Sequence, residues 1–287
     1  MTLQQALTRA RKIMVAHNVT DTRLECELLL RYALKISQVQ LYQDFNRELK
    51  PKTEKTFWQL IKRRLNGEPT AYITKHREFY GLDFYITHHV LIPRPESELL
   101  VEKTLNLVQS YAVSTMADIG TGCGSIAISL ALNLPQAKIY ATDISASALK
   151  VARFNCRRHG VGSKIYLLQG HMLEPLPEPV NLIVTNLPYV KQSDLPDSVD
   201  FEPQLALNGG PDGLEKIRQL CCQVSNKLHP NGHLLLEIGQ GQGKAVTTFL
   251  RSLFPEAEIE VTPDLSGTNR VVRLALNTTE EMRNKER

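Results

Sequence analysis

The sequence contains no apolar run close to the roughly 18 to 20 consecutive residues that a membrane-spanning helix needs. Its opening stretch also lacks the continuous apolar core of a secretory signal, although it is rich enough in Arg to suggest a mitochondrial presequence. We favour an ordinary amphipathic helix there, because apolar residues recur on one helical face: Leu3, Ala6, Leu7, Ala10, Ile13 and Met14. We therefore expect a protein with no membrane partner.

Cysteine is also scarce, and no two cysteines form a Cys-x-x-Cys pair. The chain has five, an odd number, and such a scattered set argues against a disulfide framework and against zinc. The adjacent His88 and His89 have no carboxylate at ligand spacing, so the sequence gives no case for a metal. We expect reduced thiols and a cytoplasmic protein.

Aromatic residues make up only 6% of the chain, and no cluster of aromatic and basic residues accompanies its charge. The formal net charge of +4 is nevertheless uneven, because residues 1–70 hold thirteen Lys or Arg against seven Asp or Glu. A basic module of this kind can contact nucleic acid or an acidic protein. Without an aromatic and basic cluster we favour a solvated helical surface, so nucleic acid is not the expected partner and a monomer is expected.

The pattern of apolar residues predicts four segments. Residues 1–70 read as a small helical bundle, with apolar spacings of three and four that include Leu24, Leu28 and Leu29. Residues 71–95 read as a β-hairpin linker, because 78–86 is aromatic and β-prone around a central glycine. Residues 96–276 form the main domain, and 277–287 are expected to be a flexible tail.

Strands and helices alternate through the main domain, which predicts an α/β fold with a doubly wound, mostly parallel, seven-stranded sheet. One predicted helix covers 213–228. The predicted strands are 116–119, 138–142, 164–168, 182–185, 232–238, 258–262 and 270–276.

A glycine-rich loop follows the first of these strands and opens a helix, with Gly120, Gly122 and Gly124 at alternate positions. Such a loop lets the backbone turn sharply and approach a ligand closely. Asp143 ends the next strand, where an acid can accept hydrogen bonds from both hydroxyls of a ribose. Cys123-Gly124 breaks the Gly-x-Gly-x-x-Gly spacing typical of NAD sites, and the loop resembles that of class I S-adenosylmethionine-dependent methyltransferases.

The tetrapeptide Asn186-Leu187-Pro188-Tyr189 follows a further strand and resembles the signature of enzymes that methylate planar nitrogens. The lone pair of an amide or an exocyclic amine is delocalised, so acceptors that hold its N–H groups can favour a pyramidal, reactive nitrogen. The Asn186 side chain and the Leu187 carbonyl are the expected acceptors, and Tyr189 is expected to pack on the substrate's planar group. Leu187 replaces the usual first proline, which retains the carbonyl but reduces stiffness.

Several further segments closely resemble the release factor glutamine methyltransferases, the PrmC/HemK family. The likeness covers nearly the whole chain except about the last ten residues. It rests on Gly67-Glu68-Pro69, Arg77 to Leu82, Val90 to Glu98, Phe201-Glu202-Pro203, Gly209 to Leu214, Asp264 to Gly267 and Arg270 to Val272.

This resemblance implies transfer of methyl from S-adenosylmethionine, leaving S-adenosylhomocysteine, to N5 of the glutamine in the Gly-Gly-Gln motif of class 1 release factors. It implies that the helical domain binds the release factor. It places the cofactor on Gly120, Thr121, Gly122, Cys123, Gly124, Asp143, Met172 and Asn186. It places the substrate glutamine on the tetrapeptide, and Arg94 and Glu98 either shape the substrate cleft or form structural ion pairs.

Three alternatives stay open. A sister family methylates a glutamine of a ribosomal protein, although the Arg94-Pro95-Glu96 context and the helical opening favour the release factor branch. A nucleic-acid N6-adenine methyltransferase would grip its substrate with the basic helical domain, but the C-terminal half lacks a basic recognition insertion. A non-catalytic adenosine binder would have no use for Asn186 and Tyr189.

Overall fold

The computed structural model describes residues 1–195 and 201–276 and divides the chain into two compact units. The first unit is Met1–His76, and the second begins at Arg77. The predicted flexible tail, 277–287, lies outside the described residues.

Five helices build the first unit. The hydroxyl of Thr2 accepts from the Gln5 N–H, and the Gln5 side chain accepts in return from Thr2, so a capping box starts the first helix. Pro51 occupies the first turn of the fourth helix, where its missing N–H removes no hydrogen bond. The helices are α1 (Leu3–Ala16), α2 (Thr22–Leu34), α3 (Gln38–Gln43), α4 (Pro51–Leu65) and α5 (Thr70–Thr74).

The apolar face of α2 differs from the predicted one. Cys26, Leu29 and Leu30 are buried, whereas Leu24 is 56% exposed. A helix advances 100° per residue, so Leu24 stands about 140° from Leu29 around the axis and cannot share its face. The predicted face was therefore wrong at Leu24.

The predicted hairpin is confirmed, but it occupies only part of 71–95. Its strands are β1 (His76–Phe79) and β2 (Leu82–Tyr85), joined through Tyr80 and Gly81, which both have positive φ. The preceding residues Thr70–Thr74 form α5, with Pro69 as its N-cap residue. A proline is tolerated at the start of a helix because its missing N–H removes no helical hydrogen bond there.

The second unit contains the predicted seven-stranded, mostly parallel sheet, in the order β5-β4-β3-β6-β7-β9-β8. β9 runs antiparallel to both of its neighbours, β7 and β8, and the other strand pairs among the described residues of the sheet are parallel. The strands are β3 (Thr115–Ile119), β4 (Lys138–Asp143), β5 (Ile165–Gln169), β6 (Val180–Thr185), β7 (Leu228–Glu237), β8 (Glu258–Pro263) and β9 (Asn269–Ala275).

The described part of the second unit also contains five α-helices. The first three pack on one another in sequence and the last two form a pair of their own. They are α6 (Glu98–Ser110), α7 (Ser125–Asn133), α8 (Ala146–Arg158), α9 (Glu215–Val224) and α10 (Gly243–Leu253). Among the described residues, every helix is too short or too polar to span a bilayer.

The predicted helix over 213–228 was too long at both ends. Gly213 has a φ of +76°, which an α-helix does not accommodate, so α9 starts at Glu215. At the other end Leu228 already pairs with Val180 and begins β7. Apolar residues at the boundary of an element fit both a helical and a strand pattern. Here the hydrogen bonds between β7 and β6 place Leu228 in the strand.

Candidate active site

The glycine-rich loop runs from the carboxyl end of β3 to the start of α7. Gly120, Gly122 and Gly124 all have positive φ, of 72°, 57° and 85°. The N–H groups of Gly120 and Thr121 both donate to the Thr142 carbonyl at 2.9 Å, which holds the loop against the end of β4. The glycines thus provide the backbone conformation that makes this cradle, as the sequence predicts.

Asp143 lies at the end of β4, beside that loop. Its Oδ2 accepts from the Gly122 N–H at 2.9 Å, and its Oδ1 accepts from the Ser145 N–H at 2.8 Å. Burial raises the pKa of this carboxyl, while the two N–H groups oppose that rise. Each oxygen has a further lone pair with which to accept from a ribose hydroxyl.

Thr121 and Cys123 point away from the ligand side of the loop. The Thr121 hydroxyl donates to Oδ2 of Asp118 at 2.7 Å, and the Ala127 N–H donates to the same oxygen. Cys123 is buried, and burial raises the pKa of its thiol to about 12. These residues shape the loop from behind, so among the five loop residues only Gly120 and Gly122 line the cleft.

Asp118 is the most deeply buried acid beside the loop. Only 2% of its surface is exposed, and burial raises its pKa to about 6. Its Oδ1 has no hydrogen-bond partner among residues 1–195 and 201–276. A buried acceptor without a partner is an unusual cost, and Asp118 is not among the residues that line the cleft.

Met172 lies on the wall of the same cleft. Its φ is +51°, unusual for a residue with a side chain, and the Thr142 hydroxyl holds its carbonyl at 2.9 Å. Because strained backbone of this kind persists where the surroundings hold it in place, Met172 presents its thioether at a fixed position. A thioether packs well on an aromatic face such as adenine.

The space inside the cleft and its mouth, which is open to solvent, is about 950 Å³ in all. The cleft combines the glycine-rich loop, a carboxylate whose oxygens can accept further hydrogen bonds, and apolar walls. These features fit the ribose and the adenine of an adenosyl group. The lining residues are His89, Val90, Leu91, Ile119, Gly120, Gly122, Asp143, Ile144, Ser145, Ala148, Gly170, His171, Met172, Asn186, Leu187, Pro188, Pro203, Leu205, Ala206 and Lys216.

The tetrapeptide begins directly after β6, which pairs with β3, so it lies next to the glycine loop. A Cβ on Gly120 would stand 3.5 Å from Cδ2 of Leu187, which shows that the leucine side chain packs over the loop. Leu187 is 6% exposed. Leu187 therefore joins the tetrapeptide to the glycine-rich loop by direct packing.

Asn186 has one donor engaged. Its Nδ2 donates to the Ser97 hydroxyl at 2.8 Å, while its Oδ1 has no partner in the described part of the chain. The Leu187 carbonyl likewise has no hydrogen bond within residues 1–195 and 201–276. Two free acceptors thus lie side by side at the cleft, as the planar-nitrogen chemistry requires.

Tyr189 lies beside these residues, with its hydroxyl donating to Oε1 of Glu237 at 3.0 Å. Burial, together with the neighbouring carboxylate, raises the pKa of this phenol. The Gln242 side chain donates to the Tyr189 carbonyl at 3.0 Å. Both ends of Tyr189 are therefore fixed, and its stacking on the substrate stays a prediction.

A second glycine segment supports the tetrapeptide from behind. A Cβ on Gly209 would lie 2.7 Å from Cα of Tyr189 and 2.8 Å from the Pro188 carbonyl oxygen. The Gly209 N–H donates to the Val190 carbonyl at 2.8 Å. Only glycine permits such an approach between two backbones, which explains its presence at this position.

Arg94 and Glu98 do not line the cleft. The Arg94 guanidinium pairs with Glu202, whose other oxygen accepts from the Ile92 N–H at 3.0 Å. Glu98 accepts from the Tyr80 N–H at 2.8 Å. The sequence left two roles open for Arg94 and Glu98, shaping the substrate cleft or forming structural contacts. The contacts seen here are structural, and a role in substrate binding stays a prediction.

Sequence reasoning missed three residues near the site. Ser97 and Glu237 contact the tetrapeptide side chains. Asn155 joins the hairpin to the glycine loop, through bonds to both backbone groups of Tyr85 and to the Cys123 carbonyl. The Ser97 position lies inside a segment that the family resemblance singled out, but no local pattern identifies the other two.

The fold is a mostly parallel α/β sheet. It has a glycine-rich loop after β3, an acid at the end of β4 and two free acceptors after β6, and this combination is that of a class I S-adenosylmethionine-dependent methyltransferase. Two family models match: "PrmC N-terminal domain" over residues 5–74 and "Methyltransferase small domain" over residues 95–202. A methyltransferase from Pyrococcus furiosus shares the fold, with a TM-score of 0.53 at 16% identity, over 69% of this chain and 91% of that one.

Curated relatives narrow this class to one family. The release factor glutamine methyltransferase of Moorella thermoacetica is 43% identical over 94% of this chain and 97% of its own. That of Koribacter versatilis is 38% identical over 95% of this chain and 98% of its own. This chain belongs to the release factor glutamine methyltransferase family.

Proposed function

We propose that this protein transfers the methyl group of S-adenosylmethionine to N5 of the glutamine in the Gly-Gly-Gln motif of class 1 peptide-chain release factors. The observation that supports this most directly is the pair of free acceptors, Oδ1 of Asn186 and the Leu187 carbonyl, on two residues that line the cleft. An amide NH₂ group offers two donors, and this pair receives both.

The two acceptors address the main chemical difficulty of the reaction. An amide nitrogen is a poor nucleophile because its lone pair is shared with the carbonyl. Holding both N–H groups stabilises the nitrogen as it becomes pyramidal and partly positive in the transition state. The nitrogen gains a carbon and loses one proton to solvent, so no strong base is required at the site.

The contacts described above support the following cofactor-binding roles. S-adenosylmethionine, when bound, provides a methyl group activated by its sulfonium. Asp143 would accept from the ribose hydroxyls, Gly120 and Gly122 would allow close approach of the backbone, and Met172 would pack on the adenine. The remaining loop residues, Thr121, Cys123 and Gly124, would hold the cradle in shape.

We also propose that the helical unit recognises the release factor, and that the protein acts as a monomer in the cytoplasm. The basic excess of residues 1–70 would attract an acidic protein surface. The free thiols of Cys26, Cys123, Cys156 and Cys221 are buried, in keeping with a reducing compartment.

The test is transfer of labelled methyl from S-adenosylmethionine to purified class 1 release factor, to the same factor with its motif glutamine changed to alanine, and to total RNA. We expect label on the first substrate alone, and expect Asn186→Ala to abolish it while the cofactor still binds. Label on RNA alone would favour the adenine alternative and overturn the proposal. Label on ribosomal protein alone would move the enzyme to the sister family.

A further inference from the structure

Four side chains form a continuous hydrogen-bonded chain behind the tetrapeptide. Nδ2 of Asn186 donates to the Ser97 hydroxyl at 2.8 Å, and that hydroxyl donates to Oε2 of Glu237 at 2.6 Å. The Tyr189 hydroxyl reaches the other carboxylate oxygen at 3.0 Å. Ser97 is 4% exposed and Glu237 only 1% exposed, so water does not compete for these bonds. One carboxylate thus holds the first residue of the tetrapeptide through Ser97 and the last one directly.

The chemistry of these groups fixes the direction of every bond. An ionised carboxylate can only accept, so both hydroxyls must donate to Glu237. The single Ser97 proton is then used, and its oxygen can only accept from Asn186. The amide of Asn186 must therefore turn its NH₂ group toward Ser97 and its Oδ1 away from it.

We propose that Ser97 and Glu237 are positioning residues, which select the one orientation of the Asn186 amide that presents Oδ1 to the substrate nitrogen. This inference rests on the proposed function, because it assigns Asn186 the part of acceptor. With the amide turned over, the NH₂ group of Asn186 would face the substrate amide, and two donors would oppose each other.

The fold brings these residues together from three separate places. Ser97 ends a short 3-10 helix, Pro95–Ser97, that leads into α6. Glu237 ends β7, whose Leu236 pairs with Thr185 of β6, directly before Asn186. Neighbouring strands lie about 4.8 Å apart, so the end of β7, one of the two strands that pair with β6, is close enough for its carboxylate to reach the tetrapeptide.

Replacement of Ser97 tests the inference most directly. Ser97→Ala removes the hydroxyl that selects the amide orientation. We expect kcat to fall about ten- to a hundredfold, with KM for the release factor and the dissociation constant of S-adenosylmethionine within about twofold of the original. Ser97→Thr keeps the hydroxyl, and we expect it to recover kcat to within about threefold.

Glu237→Gln offers a second variant with nearly unchanged shape. A glutamine can donate as well as accept, so the chain of bonds can run in either direction and Asn186 is no longer held in one orientation. We expect kcat to fall about tenfold without a change in cofactor affinity. This variant keeps the inference testable should Ser97→Ala fold poorly.

The matched control is Ser129→Ala. Ser129 is also fully buried, and its hydroxyl donates to the Ser125 carbonyl within α7, away from the tetrapeptide. We expect kcat to stay within about twofold of the original. A double-mutant cycle adds a stricter test: in single-turnover assays, Ser97→Ala should have no further effect once Asn186 is alanine.

Three results would overturn the inference: an undiminished kcat for Ser97→Ala, a Ser97→Thr variant as slow as Ser97→Ala, or a further tenfold loss when Ser97→Ala is added to Asn186→Ala. Failure of the proposed function looks different. In that case the unaltered enzyme itself transfers no methyl to release factor, whereas the positioning inference fails only against an active parent enzyme.

Discussion

The Gly122 N–H donates to Oδ2 of Asp143 at 2.9 Å, so the glycine cradle and the proposed ribose acceptor are one connected structure. The Ser145 N–H fixes the other oxygen of the same carboxylate. Two backbone donors thus set the plane of the carboxyl group, and its remaining lone pairs have a fixed direction. Changes at this one side chain should therefore affect the loop and the ligand together.

We expect Asp143→Asn to weaken binding of S-adenosylmethionine by about ten- to a hundredfold. The new NH₂ group must face the N–H of either Gly122 or Ser145, so two donors oppose each other. The variant also has no charge, so it loses the charge-assisted hydrogen bonds, each worth roughly 1.5–3 kcal/mol. Titration calorimetry measures the change. Asp44→Asn, at a partly exposed acid of the helical unit that pairs with Arg47, is the control, and unchanged affinity in Asp143→Asn would contradict the assignment.

We expect Gly209→Ala to lower turnover at least tenfold. Its new Cβ would stand 2.7 Å from Cα of Tyr189, closer than non-bonded atoms approach, so the tetrapeptide must shift. Small displacements of catalytic groups cost up to roughly a hundredfold in rate. The control is Gly162→Ala, where a Cβ meets nothing within 4 Å. Methyl-transfer rates compare the two, and equal rates would show that the tetrapeptide tolerates the shift.

We expect Asn155→Ala to lower the free energy of unfolding by about 2–4 kcal/mol. Asn155 is fully buried, and its side chain bonds to the N–H and carbonyl of Tyr85 and to the Cys123 carbonyl. The substitution leaves these three groups without that partner, at a cost of roughly 1–3 kcal/mol for each group that water does not reach. Urea unfolding measures the change. Asn133→Ala, at an exposed asparagine with one side-chain bond, should cost under about 1 kcal/mol. Similar values for both variants would refute the argument.

We expect His233 to make the protein less stable below about pH 6.5. Its ring is 3% exposed, and neither nitrogen has a hydrogen-bond partner among the described residues. Burial, with a contribution from Arg273, lowers the pKa of this imidazole. Stability from the neutral ring is therefore fully present above the unfolded pKa of about 6.5 and is lost as pH falls toward the folded pKa.

His233→Phe isolates this contribution. Burial raises the pKa of both Asp118 and Glu237, so these groups act in the opposite sense and stabilise the fold as pH falls, which for Asp118 happens below about pH 6. The difference in unfolding free energy between the variant and its parent removes those shared terms. We expect that difference to favour the variant increasingly between about pH 7.5 and 5.5, and a constant difference would exclude His233 as the cause.

Much of the site follows from local sequence. Gly120, Asp143 and Asn186 each come directly after a buried strand, and parallel strands bring their carboxyl ends to one edge of the sheet. That rule needs only the order of strands along the chain. It explains why the cofactor side of the cleft and the tetrapeptide could be predicted before any coordinates.

The supporting residues could not be predicted in this way. Ser97 and Glu237 are 140 positions apart, and Ser97 and Asn186 are 89 apart, so their contacts depend on tertiary packing. The resemblance that identifies the glycines also includes the loop residues Thr121 and Cys123 among the cofactor-binding positions. In the structure both turn inward, because an alternating glycine loop presents backbone to the cleft and side chains to the core.

The close approach of Gly209 to the tetrapeptide also indicates where this enzyme could be re-engineered for other amide substrates. The wall behind Tyr189 admits no added atom, so randomising it would yield mostly inactive clones. The cleft is more permissive at Leu205, because this residue lines the cleft and is still 56% exposed. A library that varies Leu205 and Ala206, with Gly209 held constant, would explore acceptor size without disturbing the catalytic acceptors.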